Sequence, residues 1–407
     1  MDYIERHYKN ISLTQFLEIL DRDKFAWIVK RLSGNDTGIT GGHQSGIYVS
    51  ADFMKQAVPS VINTKVLNHT VEVSCYIPSH DCLKTGIQAK YYNNKFFPEL
   101  GLKKKYDEFR LTRWKQTPLQ DVDNTGSICV LAGLYENDKT ILLCWVAKSI
   151  EEENQIELWL GKEVEPGFIY NSQSAETTAA TSLDQNLPDS WNKIFPSGKE
   201  IFQLVEERIP QKNWKGDVDN LILKRRKLEF EIFEEVEKRE ILPIIKEGFT
   251  SVSKFIHYAN SIVNRRKSRA GTSLELHLES IFKYEGLNFE TQVVTEQNKK
   301  PDFIFPSAAD YHNINFPDNK LHMLASKTCC KDRWRQVINE ADRIKHKHLF
   351  TLQEGVSVNQ LDEIYQHGII LVVPEPTKKS FPAKYRQKIM NLTGFVDLIK
   401  HSQQPDI

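Results

Sequence analysis

The chain has 407 residues, of which 40% are hydrophobic, and 54 basic side chains balance 54 acidic ones. This length exceeds what one ordinary core needs, so two domains of roughly 150 to 200 residues each are expected. A formal charge of zero excludes a globally basic protein, so any nucleic-acid surface must come from local clusters of cations.

The cysteines and the apolar runs indicate where the protein resides. The six cysteines form no CxxC pair and no zinc spacing with the histidines, which is typical of reduced thiols. The longest apolar run, Ile141 to Ala147, is too short to span a membrane, and the N-terminus lacks a signal-peptide pattern. We therefore expect a cytoplasmic protein with no membrane partner.

The first 150 residues predict a mostly-β domain. Apolar residues at spacings of three and four predict an amphipathic helix over 13–32. Five glycines between 34 and 46 follow without a Gly-Lys-Ser/Thr motif, so this loop is better read as an arm than as a nucleotide site. Short strands such as 71–76 and 128–134, separated by turns, predict a small barrel or sandwich.

A basic cluster lies within this β region. Lys103 to Lys105 precede Arg110, Arg113, Trp114 and Lys115. Basic residues interleaved with an aromatic residue suit a surface that follows the phosphates of a nucleic acid. A solvated loop is the alternative, and it is the simpler interpretation of this cluster taken alone.

A change of composition divides the chain. Between Asn171 and Asp189 large apolar residues give way to Ser, Thr, Ala, Gln and Asn, which is typical of a linker. We predict an N-terminal domain over 1–172, a linker over 173–189 and a C-terminal domain over 190–407.

The C-terminal part predicts an α/β core with a mixed sheet. Helices are expected over 221–238 and 252–263, and another from near Ser273. Strands around Phe303 and Met323, a helix over 331–344, and strands near 349–350 and 369–373 follow. Helix, strand, strand, helix and strand in this order make a layered α/β arrangement the simplest fold.

Three residues of this core suggest a metal-dependent nuclease site. Asp302 opens an apolar run, Lys327 ends the next apolar strand, and Glu340 is expected on the helix that follows. Two carboxylates and a lysine can converge on one divalent metal and one scissile phosphate. The alternative is a surface ion pair of Lys327. Glu275, within a leucine-rich helix, is either a further metal ligand or a solvated helix position.

Two clusters of cations flank these residues. Arg266 and Lys267 belong to a run of cations that suits the DNA backbone, although such runs are usually solvated. Lys331, Asp332 and Arg333 form a basic-acidic-basic triplet that can donate to guanine and accept from cytosine. A charged, solvated first helical turn is the alternative for this triplet.

Other reactive side chains receive no role from the pattern. Tyr311 could attack a phosphate covalently, but a metal-activated water is the simpler proposal. His277, His346 and His348 are interpreted as ordinary surface histidines, because no HExxH motif or cysteine partner accompanies them.

Several segments spread over nearly the whole chain share one further property. They are Lys30 to Gly38 with Gly41-Gly42-His43, Pro118 to Asp121 with Asn124 to Gly126, Asn264 to Gly271, Asn298 to Phe303, and Lys327 to Gln336. In this order they resemble the EcoRII family of restriction endonucleases. The resemblance implies a Type IIE enzyme with an N-terminal effector DNA-binding domain of pseudobarrel fold and a C-terminal catalytic domain of the PD-(D/E)xK restriction-endonuclease fold. The implied target is double-stranded CCWGG, cut before the first cytosine with Mg²⁺.

The resemblance implies roles for single residues of the catalytic domain. Asp302, Lys327 and Glu340 match the family's catalytic positions. Glu275 matches its additional helix acid, so Asp302, Glu340 and Glu275 are the implied ligands of Mg²⁺.

The resemblance also implies how the target is read. Lys331, Asp332 and Arg333 fall where the family reads the outer C:G pairs. Related catalytic domains flip the central bases and hold each between an arginine and an aromatic residue four positions later. Arg226 and Phe230 have that spacing and share one helix face. Phe230 stands where a family member has tyrosine, which preserves stacking but not a hydroxyl contact.

In the effector domain the resemblance implies two DNA-gripping arms. Lys30 to His43 corresponds to one arm, and Tyr106 to Lys115 corresponds to the other. The arm residues expected to contact DNA are Lys30, Arg31, Asn35, His43, Glu108, Arg110, Arg113 and Trp114.

A palindromic target calls for a two-fold homodimer, which we expect to form through the catalytic domain. The N-terminal domain is expected to bind a second copy of the site and to block the catalytic cleft until it does so. Two alternatives remain open: a two-domain repressor whose acids are structural, and a repair nuclease of the same fold without sequence preference.

Overall fold

The computed structural model describes residues 7–40, 46–103, 105–172, 187–192, 195–331 and 333–404. Within these ranges the chain forms two domains, each built around its own mixed sheet. The expected pseudobarrel and α/β core are therefore confirmed as fold classes. No helix in the described ranges is long and apolar enough to cross a membrane.

The N-terminal domain begins with a capped helix, α1 (Leu13–Arg22). Ser12 accepts from the backbone of Gln15, and the Gln15 side chain accepts from the backbone of Ser12, so both ends of the first turn are satisfied. The prediction of one helix over 13–32 is wrong. Lys24 adopts a left-handed backbone with φ 55°, and the chain continues as strand β1 (Ala26–Arg31).

An eight-stranded sheet forms the body of this domain. Besides β1 its strands are β2 (Gly46–Val49), β3 (Thr70–Ile77), β4 (Cys82–Tyr92), β5 (Glu108–Thr112), β6 (Ile128–Glu136), β7 (Lys139–Val146) and β8 (Ile169–Asn171). They follow the order β2-β5-β4-β3-β7-β6-β1-β8, with β3 and β7 parallel and the other pairs antiparallel. The predicted strands near 71–76 and 128–134 are confirmed. Helices α2 (Ala51–Ala57) and α3 (Ile150–Leu160) belong to the same domain.

Three helices open the second half: α4 (Gly198–Arg208), α5 (Val218–Glu247) and α6 (Val252–Tyr284). The prediction of separate helices near 252–263 and 273 is wrong, because α6 runs unbroken for 33 residues. Its C-terminal half has the expected buried stripe of Leu274, Leu278, Ile281 and Phe282.

The second sheet positions the predicted catalytic residues. Its strands are β9 (Glu290–Thr291), β10 (Phe303–Phe305), β11 (His322–Lys327), β12 (Lys347–Thr351) and β13 (Ile369–Val372). They follow the order β13-β12-β11-β10-β9, with β10 antiparallel to both neighbours and β11, β12 and β13 parallel. The expected strands around Phe303, Met323, Leu349 and Ile369 are confirmed.

Short helices complete this domain. The helix predicted over 331–344 is mostly absent, because α8 spans only Trp334–Val337. Glu340 therefore lies in the bend after this helix rather than on it, and the next residue, Ala341, has a left-handed φ of 49°. Trp334, Val337 and Ala341 are nonetheless buried. The other helices are α7 (Ala308–His312), α9 (Val358–Gln366), α10 (Glu375–Lys378) and α11 (Leu392–Ser402).

Candidate active site

Antiparallel pairing of β10 and β11 brings Asp302 and Lys327 to one edge of the sheet. Phe303 pairs with Leu324, so the residue before β10 lies beside the last residues of β11. The Asp302 Oδ2 atom accepts from the Ser326 backbone N at 2.7 Å, from Ser326 Oγ at 3.2 Å and from Lys327 Nζ at 3.3 Å. These contacts fix the carboxylate of Asp302 and pair it with the lysine.

Glu275 and Glu340 lie within electrostatic reach of this pair. Burial raises the pKa of Glu275, and the Asp302 charge adds to the rise against the effect of Lys327. Burial likewise raises the pKa of Glu340 to about 7, with Asp302 again adding and Lys327 opposing. Gln292 hydrogen-bonds Glu275 and donates from Nε2 to Asp302 Oδ1 at 3.4 Å. The four predicted catalytic residues therefore lie close enough that the charges of Asp302 and Lys327 shift the pKa of both Glu275 and Glu340.

The carboxylates suit a divalent cation by their chemistry. Within the described ranges no group of three or more His, Cys, Asp or Glu side chains is arranged to hold a metal. Asp302, Glu340 and Glu275 nevertheless offer the hard oxygen donors that Mg²⁺ prefers. Burial and, to a smaller extent, the charge of Asp302 raise the pKa of both glutamates, and a bound cation would offset both effects. The donor set therefore fits a divalent metal without forming a closed three-carboxylate cluster in this conformation.

The remaining reactive side chains have structural positions. Tyr311 is buried, and its hydroxyl donates to both carboxylate oxygens of Glu296 at 2.8 and 2.7 Å. Burial raises the pKa of Tyr311 further, which makes it a poor nucleophile. The expectation of surface positions for His277 and His348 is wrong, because both are buried, whereas His346 is exposed.

The predicted base-reading triplet faces the N-terminal domain. Lys331 Nζ donates to Ser127 Oγ, and Arg333 Nη1 lies 3.7 Å from Glu163 Oε1. Asp332 lies outside the described residues. Both described members of the triplet are therefore engaged by the other half of the chain.

The predicted base-flip residues are covered by the same half. Arg226 is buried, and its Nη2 lies 2.7 Å from Glu165 Oε2, while its Nη1 donates to Ser273 and Glu229. Phe230 packs against the N-terminal core, with its ring 4.7 Å from that of Phe168. The N-terminal domain therefore contacts both Arg226 and Phe230.

Of the two cations predicted to contact the DNA backbone, only one is described. Arg266 donates from Nε and Nη2 to Glu237 at 2.6 to 3.0 Å and from Nη1 to the Gly161 carbonyl at 2.8 Å. The side chain of Lys267 lies outside the described residues.

The first effector arm is tied down on its own domain. Lys30 Nζ lies 2.7 Å from Asp36 Oδ2. Arg31 is buried and donates to Glu153 Oε2 at 2.7 Å, to Glu157 Oε1 at 3.1 Å and to the carbonyl of Val164 at 2.7 Å. Arg31 is thus inside the domain rather than at the expected surface. Asn35 is exposed, and His43 lies outside the described residues.

The second effector arm follows β5. Arg110 Nε donates to Glu108 Oε1 at 3.0 Å, and both remain partly accessible. Arg113 is exposed on a left-handed backbone with φ 69°. Trp114 is fully buried, and its Nε1 donates to the Leu111 carbonyl, so it supports the arm from the core instead of facing solvent.

Backbone atoms of the two domains meet beside the first arm. The Gly34 amide donates to the Glu354 carbonyl at 2.8 Å, and a Cβ on Gly34 would overlap the carbonyl oxygen of Ser380. A Cβ on Gly355 would lie 3.0 Å from the Gly34 nitrogen. The loop expected to grip effector DNA therefore rests directly on the C-terminal domain.

Several residues of this arrangement carry no signal in the sequence. Ser326 and Gln292 both hydrogen-bond Asp302. The sequence gives no signal for Gln292, and for Ser326 the only signal is its position next to Lys327. Glu165 and Phe168 lie in a loop with no motif, and their partners are more than 60 positions away along the chain.

Comparisons with known proteins match both domains. The family described as "Restriction endonuclease EcoRII, N-terminal" matches residues 22–176, and "EcoRII C terminal" matches residues 233–396. The Type II restriction enzyme EcoRII of Escherichia coli is 44% identical over 392 residues, which cover 93% of this chain and 95% of that enzyme.

Two solved structures also resemble part of the chain. Metal-depleted Ecl18kI with uncleaved, modified DNA has a TM-score of 0.44 at 19% identity and covers 52% of this chain and 82% of its own. Metal-depleted Ecl18kI with uncleaved DNA has a TM-score of 0.41 at 17% identity and covers 55% of this chain and 88% of its own.

Proposed function

Because the chain belongs to the EcoRII family of Type II restriction endonucleases, we propose that it hydrolyses double-stranded DNA at CCWGG, before the first cytosine, using Mg²⁺. The pairing of Asp302 with Lys327 at one sheet edge, with Glu340 and Glu275 in the same field, is the observation that carries this proposal.

Asp302 and Glu340, with Glu275, would hold the metal ion. Mg²⁺, when bound there, supplies polarisation of the phosphate and a bound water of lowered pKa. Ser326 and Gln292 hold the Asp302 carboxylate in place before any substrate arrives. The Lys327 ammonium, 3.3 Å from Asp302, orients the attacking water or offsets the charge that develops on the phosphoryl oxygens.

We propose that sequence is read next to the site of cutting. Lys331, Asp332 and Arg333 follow the catalytic lysine within six residues. Arginine and lysine donate to guanine O6 and N7, and aspartate accepts from cytosine N4, which suits the outer C:G pairs of the target. Arg226 and Phe230 would hold a flipped central base.

Activation by a second copy of the site is part of the proposal. Contacts of Ser127, Glu163, Glu165 and Phe168 with the reading residues support a role of the N-terminal domain as a cover. Effector DNA on Lys30, the loop around Asn35 and the arm at Glu108 to Arg113 would displace that cover. The domain limits proposed for these roles are 1–172 and 190–407, joined by the linker.

A homodimer through the catalytic domain follows from the symmetry of the target. A palindrome presents the same scissile bond on each strand, so two active sites related by a two-fold axis cut both strands. We further propose that the enzyme acts in the cytoplasm.

Sequencing the ends of cleaved plasmid DNA tests the proposal. Incubation with Mg²⁺ of a plasmid that carries several CCWGG sites should give ends that all begin at the first cytosine, and EDTA should prevent cutting. Binding without cutting would favour a repressor. Cut ends without a common sequence would favour a repair nuclease.

A further inference from the structure

A carboxylate lies between two arginines at the proposed base-flip pocket. Glu165 Oε2 is 2.7 Å from Arg226 Nη2, and Glu165 Oε1 is 2.7 Å from Arg269 Nη2. All three side chains are more than nine-tenths buried. Burial alone would raise the pKa of Glu165, but the two arginines bring it below the ordinary value, so the carboxylate is charged. The pocket is therefore an anion site that an acid of the same chain fills.

Glu165 does not use all the donors that the two arginines offer. The Nε and Nη1 atoms of Arg269 and the Nε atom of Arg226 are buried without a hydrogen-bond partner in the described part of the chain. Guanidinium groups stay charged, and leaving their N–H groups unpaired in the interior is costly. An anion with more acceptor oxygens than a carboxylate would satisfy more of them. A phosphate has that property, and arginine binds it through paired donors.

An aromatic platform adjoins this anion site. The ring of Phe230 lies 4.7 Å from the ring of Phe168, and the Arg269 guanidinium lies 5.6 Å from Phe230. Arg269 also lies 4.8 Å from the ring of Phe233. The Phe168 ring meets Phe230 at a tilt of 45°, and a nucleic-acid base that took its place could lie flat on the Phe230 face. An aromatic ring beside an anion site matches the two parts of a nucleotide.

We propose that Arg269 is a third residue of the base-flip pocket, where it binds the phosphate of the extrahelical nucleotide. Glu165 and Phe168 then stand in for phosphate and base while the domains are closed. This inference rests on the proposed function, specifically on flipping of the central base. Arg269 belongs to the run of cations that the sequence assigned to the DNA backbone in general, and the inference gives it one specific partner, the phosphate of the flipped nucleotide.

The loop that carries these stand-ins is tied to the first effector arm. Arg31 donates from Nε to the carbonyl of Val164, the residue before Glu165. Lys30, its neighbour, is expected to grip effector DNA. Movement of the arm on effector DNA would thus act on the loop that fills the pocket.

The test uses the full-length protein and a CCWGG duplex with 2-aminopurine at the central position, whose fluorescence rises when the base leaves the stack. Wild-type protein should raise the signal only when a second, effector duplex is present. Glu165→Gln, which removes the charge but keeps the shape, should raise the signal without effector duplex and bind the labelled duplex about tenfold more tightly or better. Glu240→Gln, which removes a carboxylate from the Arg265 pair on the same helices, should behave like wild type.

Arg269→Gln should bind the labelled duplex about tenfold more weakly or worse, and its fluorescence should not rise even with effector duplex. The double variant Glu165→Gln with Arg269→Gln restores the charge balance, so it should unfold at the wild-type temperature and still lack the signal. Wild-type signal and affinity in the double variant would overturn the role of Arg269. If the fluorescence of the Glu165→Gln complex depends on the effector duplex as strongly as that of wild type, Glu165 does not occupy the place of the phosphate.

The two levels of the proposal fail differently. If the wild-type signal never rises, base flipping is wrong, and the inference about Arg269 falls with it. If the wild-type signal rises and the arginine variants match it, flipping stands and the inference alone is wrong.

Discussion

Lys327 Nζ lies 3.3 Å from Oδ2 of Asp302 across the antiparallel pair of β10 and β11. The two residues are 25 positions apart, yet the pairing register places the start of one strand beside the end of the other. A lysine that ends a buried strand is thereby paired with an acid and remains partly accessible, with 22% of its side chain exposed.

Removing either member of this pair should abolish cutting. Lys327→Ala and Asp302→Ala are each expected to lower the cleavage rate by about a thousandfold or more, because each removes charge from the reacting phosphate or from the metal ligands. Specific DNA binding, measured by gel shift in Ca²⁺, should persist. Lys345→Ala, which removes an exposed lysine, serves as the control. Retained cleavage in either site variant would refute the assignment.

Ser326 should prove to be a positioning residue. Its Oγ donates to Asp302 Oδ2 at 3.2 Å, so Ser326→Ala leaves the carboxylate less firmly oriented. We expect the Mg²⁺ concentration for half-maximal cleavage to rise, and the rate to fall, by about ten- to a hundredfold. Ser253→Ala, on an exposed turn of α6, should leave both unchanged. An unchanged Mg²⁺ requirement in Ser326→Ala would argue against this role.

Loosening the contact between the domains should relieve the need for effector DNA. Gly34→Ala adds a Cβ that overlaps the Ser380 carbonyl oxygen, so the loop must move away from the C-terminal domain. We expect this variant to cut a plasmid with a single site about tenfold faster or better than wild type does. Gly198→Ala, whose Cβ meets nothing within 4 Å, is the matched control. If Gly34→Ala cuts a two-site plasmid but not a single-site plasmid, the N-terminal domain does not act as a cover of the C-terminal domain.

We expect Arg31 to stabilise the fold rather than to contact effector DNA. Arg31→Ala would leave Glu153 and Glu157 buried without their cation, a loss expected to cost about 3 to 5 kcal/mol in the free energy of unfolding. Arg113→Ala, at an exposed position of the second arm, should change stability little and effector binding more. Urea unfolding of both variants measures the difference, and equal stability would contradict the buried role of Arg31.

Lowering the pH should reduce the free energy of unfolding of the C-terminal domain, because His348 is buried there. Burial lowers the pKa of His348 to about 4, whereas an unfolded histidine titrates near 6.5. Between these two pKa values the histidine binds a proton in the unfolded chain but not in the folded one. The contribution of neutral His348 to the free energy of unfolding is therefore fully present above the unfolded pKa and is lost as the pH falls toward the folded pKa.

His348→Leu should remove this dependence. The loss of unfolding free energy between about pH 7.5 and about pH 5.5 should shrink by roughly 1 kcal/mol relative to wild type. His346→Leu replaces an exposed histidine two positions earlier and should keep the wild-type pH profile. If the free energy of unfolding changes with pH equally in wild type and His348→Leu, His348 is not buried as a neutral imidazole.

The sequence predicts elements with a strong local pattern. Apolar runs identify β10 and β11, and the ends of those runs identify Asp302 and Lys327. Local pattern fails where tertiary contacts decide the backbone. The turn at Lys24 divides a predicted helix, and the helix before Glu340 ends at Val337 although the buried spacing around Glu340 is helical.

Burial of charged residues was beyond prediction from the sequence. Arg226 shares a helix with Phe230, and nothing in that helix shows that Glu165, 61 positions away, supplies a counter-charge and buries it. The same holds for Arg31, whose acids come from a helix more than 100 positions later. Pairing of this kind depends on how distant segments pack, within the N-terminal domain for Arg31 and between the domains for Arg226, and no local window of the sequence shows it.

The contact of Gly34 with the Gly355 loop has a consequence for how such enzymes can be recombined. Two backbones approach here without side chains between them, so each domain has shaped one loop to the other. A chimera that joins the N-terminal domain of one relative to the C-terminal domain of another will stay closed only if both loops are small at this point. We therefore expect the two domains to be exchanged between relatives only as a matched pair.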